Sequence, residues 1–153
     1  MLVLAFLIGV IAGLRSLTAP AVLSWGAHLG WLDLQGSPLA FMGSPITVAV
    51  FTVLAIGELI ADKLPSTPSR TAPPGLIARI VMGGLSGGVT AAAGLQSIAL
   101  GASLGVAGAL AGTFAGYEAR TRLVKARKVP DVVIACLEDV VAVGGALLIA
   151  ARF

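Results

Sequence analysis

The stretch MLVLAFLIGVIAGLRSLTAPAVLSW, residues 1–25, contains a single charge, Arg15, in an otherwise uncharged run. About 20 apolar residues suffice to cross a bilayer, and an arginine near the middle of such a run is costly. A carboxylate, backbone carbonyls or water must therefore meet that guanidinium. The run reads as a membrane span over roughly Leu2–Trp25. It does not read as a cleaved signal: no Lys or Arg precedes it, it is long for a signal core, and Arg15 interrupts it.

The rest of the composition agrees with a membrane as the solvent. The chain has 153 residues, 58% hydrophobic and 11% charged, with a mean hydropathy of +1.02. Soluble domains carry about 25% charged residues, so this chain cannot cover a water-facing surface. A single all-α domain over residues 1–153 is expected, a polytopic transmembrane helix bundle. The net charge of +3 does not point to nucleic acid, because the basic residues lie in connectors between apolar runs. Cys136 is the lone cysteine, which excludes an intramolecular disulfide and a cysteine zinc cluster. His28, the lone histidine, has no metal-ligand spacing around it and reads as an interfacial polar residue. No metal or cofactor is expected.

About five spans emerge, at roughly 2–25, 45–61, 75–93, 98–117 and 131–151. The break between the third and fourth, Gly94-Leu95-Gln96-Ser97, is weak and its boundary is open by about four residues. Lys63, Arg70 and Arg79 lie in or beside the connector from the second span to the third. Arg120, Arg122, Lys125, Arg127 and Lys128 form the connector from the fourth to the fifth. With five spans, two of them lie between these connectors, so both fall on one face, cytoplasmic by the positive-inside bias, with a cytoplasmic N-terminus. A multi-pass protein of the bacterial inner membrane is the expectation, with membrane lipids as its surroundings.

Gly101, Gly105, Gly108, Gly112 and Gly116 form a small-residue stripe in the fourth span. It packs either within one bundle or against a second copy, as a homo-oligomer seam. Leu17-Thr18-Ala19-Pro20-Ala21 also resembles Val89-Thr90-Ala91-Ala92-Ala93. The match suggests two hairpins plus a closing helix, or chance; interrupted segments in corresponding halves mark substrate sites in transporters.

The charges sort by depth. Glu138 and Asp139 lie about 12 Å into the fifth span at 1.5 Å per residue. Glu58 and Arg79 each sit about one turn inside their spans, and Glu118 closes the fourth. Lipid-facing positions would be far costlier, so these groups and Arg15 are expected to converge in the bundle interior. Arg15 with Glu138 or Asp139, and Arg79 with Glu58, are the natural ion pairs. They either fix helix register or line a polar cavity that binds an ion, a proton or a small anion. Adjacent Glu138 and Asp139 repel when both are ionised, so one could carry a proton. Ser16, Thr18 and Pro20 follow Arg15, and proline crowds the carbonyl four residues earlier. A kink there frees the Ser16 carbonyl beside Arg15, as a half-helix site or as an ordinary proline kink. The segment from Asp62 and Lys63 to Pro74 contains four prolines. It reads as a cap over the cytoplasmic mouth tied by Asp62, Lys63 and Arg70, or as a solvated linker. No Walker-type, nucleophile–His or carboxylate–metal motif is present, so an enzyme is not expected.

Gly13-Leu14-Arg15-Ser16, joined to Glu58-Leu59-Ile60-Ala61-Asp62-Lys63-Leu64-Pro65, resembles the domain of unknown function 4126 family of small bacterial membrane proteins. In that family a Gly-Leu-Arg element lies in the first apolar segment and a Glu-x-x-Ala-Asp-Lys-x-Pro element ends the second. The resemblance implies an integral membrane protein of undefined activity, with Arg15, Glu58, Asp62 and Lys63 as signature positions. It supplies no substrate. The residues themselves suggest a small transporter or channel-like protein with a polar intramembrane site near the cytoplasmic half. The alternative is a non-transporting scaffold or accessory subunit whose charges are structural pairs.

Overall fold

A computed structural model describes residues 1–63, 72–127 and 131–153. The described residues form helices and connecting turns, with no strand among them. In chain order the helices are α1 (Leu2–Leu14), α2 (Thr18–His28), a 3-10 turn (Ala40–Gly43), α3 (Pro45–Ala61), α4 (Pro73–Ala93), α5 (Ile98–Arg127) and α6 (Asp131–Ala150). Three of them, α4, α5 and α6, are long and apolar enough to cross a membrane, whereas α1 and α3 are shorter apolar helices.

The ends of the elements follow from the sequence. Ser44 caps α3 by accepting a hydrogen bond from the Thr47 amide at 3.2 Å, and Pro45 takes the first helical position, where no amide donor is needed. Pro73 does the same for α4, with Ala72 extended before it. The weak Gly94–Ser97 break is a true chain reversal. Leu95 takes φ +54°, a left-handed conformation uncommon outside glycine, and Gln96 donates back to the Ala91 carbonyl at 2.8 Å.

Pairwise contacts fix the direction of each helix. Gly9 lies on Gly105 and Gly13 on Ala109, so α1 runs parallel to α5; Gly83 lies on Gly105 and Gly87 on Gly101, so α4 runs against both. Arg15 meets Asp139 while Ile11 meets Gly145, so α6 opposes α1. Gly26 then lies by Ala150, so α2 returns alongside α6. Glu58 meets Ser16 and Thr52 meets Trp25, which sets α3 against α2. The first two helices therefore form a hairpin with its tip at residues 15–17. Its open end, with Met1 beside Gly94, faces the same way as the Ala40–Gly43 turn and Ala150.

Several expectations need correction. The run 2–25 is not one helix: it stops at Leu14, passes through an extended Arg15 (φ −139°, ψ 105°), and restarts at Thr18. The other four expected spans correspond to α3, α4, α5 and α6, with α5 continuing past residue 117 to Arg127. The two-hairpin repeat also fails, because its matched segments occupy opposite helix ends: Leu17–Ala21 starts α2, whereas Val89–Ala93 finishes α4. The hairpin also removes the geometric ground for a cytoplasmic N-terminus. Met1 lies at the bundle end opposite to where α3 and α5 finish and the basic connectors begin.

The interior holds polar groups beside its apolar core, and many large apolar side chains are exposed. Arg15, Ser24, Ser86, Thr90 and Thr113 are fully buried, while Val3, Ile46, Val53, Val140 and Leu148 are largely exposed. Exposed apolar side chains in this number suit lipid. The interior apolar cluster joins Ile8, Leu23, Leu32, Met42, Val89, Ala146 and Ile149. Four glycines of the α5 stripe are occupied within the chain: Gly101 and Gly105 meet α4, and Gly108 and Gly112 meet Phe6 and Val10 of α1.

Candidate functional site

Pro20 explains why the first run breaks where it does. It sits in the first turn of α2, where its missing amide hydrogen is harmless, but a helix continuing through Ser16 would clash with its ring. Breaking the helix exposes carbonyls at the end of α1 and amides at the start of α2, carrying about half a negative and half a positive charge respectively. Each end meets a side chain of complementary charge. The Gly13 carbonyl accepts from Arg79 Nε at 3.1 Å and from Thr113 Oγ1 at 3.2 Å. At the other end, Glu58 Oε1 accepts from the Ser16 amide (2.8 Å) and hydroxyl (2.6 Å), and Oε2 accepts from the Leu17 amide (2.8 Å).

Arg15 projects from the tip between these two caps and is 0% exposed. Its Nη1 pairs with Asp62 Oδ2, and its Nε pairs with Asp139 Oδ1 at 2.7 Å. Nη2 donates to the Ala135 carbonyl at 3.4 Å. Asp139 is shared, because its Oδ2 takes Lys63 Nζ at 2.6 Å, and the same ammonium donates to the Leu59 carbonyl at 2.9 Å. The result is a charge-balanced chain, Asp62–Arg15–Asp139–Lys63, drawn from the hairpin tip, the end of α3 and the middle of α6. It grades from a wholly buried guanidinium to an ammonium that is 32% exposed. Removing one partner from a buried pair orphans the other charge, at about 3–5 kcal/mol.

The expected site residues thus separate into groups. Arg15, Asp62, Lys63 and Asp139 come together; Ser16 and Glu58 form the cap beside them. Thr18, 3% exposed, has no hydrogen-bond partner for its hydroxyl. A buried hydroxyl left in that state costs about 1–3 kcal/mol. Arg79 is buried at the α1 end and also donates to Gly75. Of the two carboxylates expected for Arg15, Asp139 meets it; the expected Arg79–Glu58 pair is replaced, because Glu58 holds the Ser16 and Leu17 amides that lead into α2. Glu138 lies 3.5 Å from Arg120. Glu118 pairs with Arg122 one turn along α5 on an exposed surface, away from the cluster. Arg70, the expected loop tie, lies outside the described residues.

Sequence reasoning missed Thr113 and the Gly13 carbonyl. A threonine within a glycine-rich apolar helix was the available signal, since a buried hydroxyl needs an acceptor. Away from the tip, His28 Nδ1 lies 2.9 Å from the Gly43 carbonyl and its ring stands edge-on to Trp25 at the open end of the hairpin. Among the described residues no group of His, Cys, Asp and Glu could hold a metal ion.

Residues 2–151 match the family described as Domain of unknown function (DUF4126). The match covers nearly the whole chain, and the protein belongs to that family. No curated protein and no solved structure gives a significant match.

Proposed function

We propose that this member of the domain of unknown function 4126 family is a small transporter or channel-like protein of the bacterial cytoplasmic membrane, working at the tip of the α1–α2 hairpin. One observation carries the reading: a helix is broken inside an apolar bundle, and its two free ends and the arginine between them are held by side chains from other helices. Discontinuous helices whose ends face one another at membrane depth are how secondary transporters build binding sites from backbone groups. Irregular backbone at that depth is tolerated where protein or a cavity surrounds it. Charges inside a membrane bundle are functional by default.

Lys63 and Asp139 form the exposed edge of the cluster, and they stand at the bundle end where α3 finishes. The connectors leaving that end hold Arg70 and the basic run through Lys128. The positive-inside bias makes this the cytoplasmic face. Met1 and Arg152 then belong to the outer side, and the site opens inward across the Lys63–Asp139 pair.

A second reading has its own support. Arg15 is wholly buried and paired on both sides, which is also what a rigid scaffold or accessory subunit needs. Reconstituted proteoliposomes separate the two. Stopped-flow light scattering with a panel of cations, anions and small neutral solutes should show protein-dependent flux that Lys63→Ala alters without loss of thermal stability. Flux indistinguishable from protein-free vesicles for every solute, with Asp139→Asn lowering stability alone, would establish the scaffold.

A further inference from the structure

We propose, resting on the transport reading, that the solute is a small anion that competes with the Glu58 carboxylate for the N-terminal end of α2. Glu58 makes three short hydrogen bonds there, two with backbone amides and one with a hydroxyl, and a carboxylate so held is chemically an anion in an anion site. It arrives from α3, across 42 residues of sequence from Ser16, so the donors belong to one element and their occupant to another.

Charge balance points the same way. Asp62, Arg15, Asp139 and Lys63 neutralise one another, two of each sign; Arg79 reaches the carbonyl end of α1, and Glu58 answers the Ser16 and Leu17 amides that lead into α2. Withdrawing Glu58 leaves that end without its counter-charge at membrane depth, and an incoming anion restores the balance with no other group changing protonation. A cation at the same place would meet the positive end of the helix.

The independent observation is Thr18. It is the first residue of α2, it is buried, and its Oγ1 has no partner while Glu58 engages only Ser16 and Leu17. A hydroxyl on the turn that supplies the amides is a further donor that the resident carboxylate does not use and a mobile anion can. The site accordingly suits a small monovalent anion of the size of chloride, nitrate or formate. Glu58 acts as a tethered competitor that leaves when the anion enters.

The test uses the full chain in proteoliposomes with a potassium gradient and valinomycin, so that anion entry limits the flux, with chloride, nitrate and formate as probes. Glu58→Gln keeps the shape and removes the competing charge; it should raise anion flux about tenfold over wild type, the equivalent of about 1.4 kcal/mol. Thr18→Val removes only the unpartnered hydroxyl and the cost of burying it, should raise the melting temperature, and should lower anion flux severalfold. Thr18→Val carries the test alone where Glu58→Gln does not fold. Anion flux equal in wild type and both variants would overturn the inference. Protein-dependent flux of potassium or a neutral solute without anion flux would overturn it too, while leaving the transport reading intact. No flux of any solute would remove both.

Discussion

Two parts of this bundle are held together in opposite ways. Where α1, α4 and α5 meet, the seam contains almost no side chain: Gly9, Gly83, Gly87 and Gly105 bring three backbones into contact. Where the hairpin tip meets α3 and α6, the contact is made by charges and hydrogen bonds. In lipid there is no hydrophobic drive between helices, so close backbone packing and polar contacts are the available forces. The seam depends on shape, which tolerates no intrusion and offers no alternative arrangement. The tip depends on discrete polar partners, each of which a single substitution can remove.

Substitutions can break each side of this contrast separately. The largest effect is expected in the seam. A side chain at Gly105 would overlap the Gly83 carbonyl and crowd the Gly87 backbone, neither of which is a flexible chain end. Gly105→Leu should yield no monodisperse protein in detergent, as size-exclusion chromatography would show. Next comes Arg15→Leu, which strips Asp62 of its ion partner and leaves Asp139 with Lys63 alone; it should destabilise by about 3–5 kcal/mol, measured by denaturant titration in micelles. Pairing it with Asp62→Leu and Asp139→Leu should recover part of that loss; no recovery would mean that the pairs do not hold the tip. Glu58→Gln keeps a hydrogen-bond acceptor but drops the charge, so a loss of about 1–3 kcal/mol is expected in the same titration. The smallest effect sharpens the contrast from the other direction. Gly57, on α3, has open space where a methyl group would go, and Gly57→Ala should stabilise by about 0.5–1 kcal/mol. Destabilisation there would show that a neighbour packs against α3 at Gly57.

Much of this was readable in the sequence, for identifiable reasons. Apolar run length and proline punctuation located α3 and α6 closely, because Pro45 and Pro130-Asp131 mark helix starts and the runs match helix lengths. A single buried-depth charge announced Arg15, and its need for carboxylates announced a partner. Which carboxylate it meets was not readable, because Glu138 and Asp139 are adjacent and 100° of helix rotation separates them; only the direction of α6 relative to the tip selects Asp139. The break at Arg15 was visible only as a proline kink. A kink and a full reversal share the same local signal, and they differ in whether long-range groups such as Glu58, Arg79 and Thr113 are present to satisfy both ends.

Every contact at the tip depends on that reversal, and a spin-label distance reads it out. With Cys136 replaced by serine, labels are placed at Val3 and Trp25, both exposed and near the open end of the hairpin. A continuous helix through residues 3–25 would separate the two backbones by about 33 Å at 1.5 Å per residue. The hairpin predicts a single distance population well short of that, in detergent and in lipid alike. A population centred near the straight-helix length would contradict it, and the cap at Glu58 and the anion site built on it would fall with the hairpin.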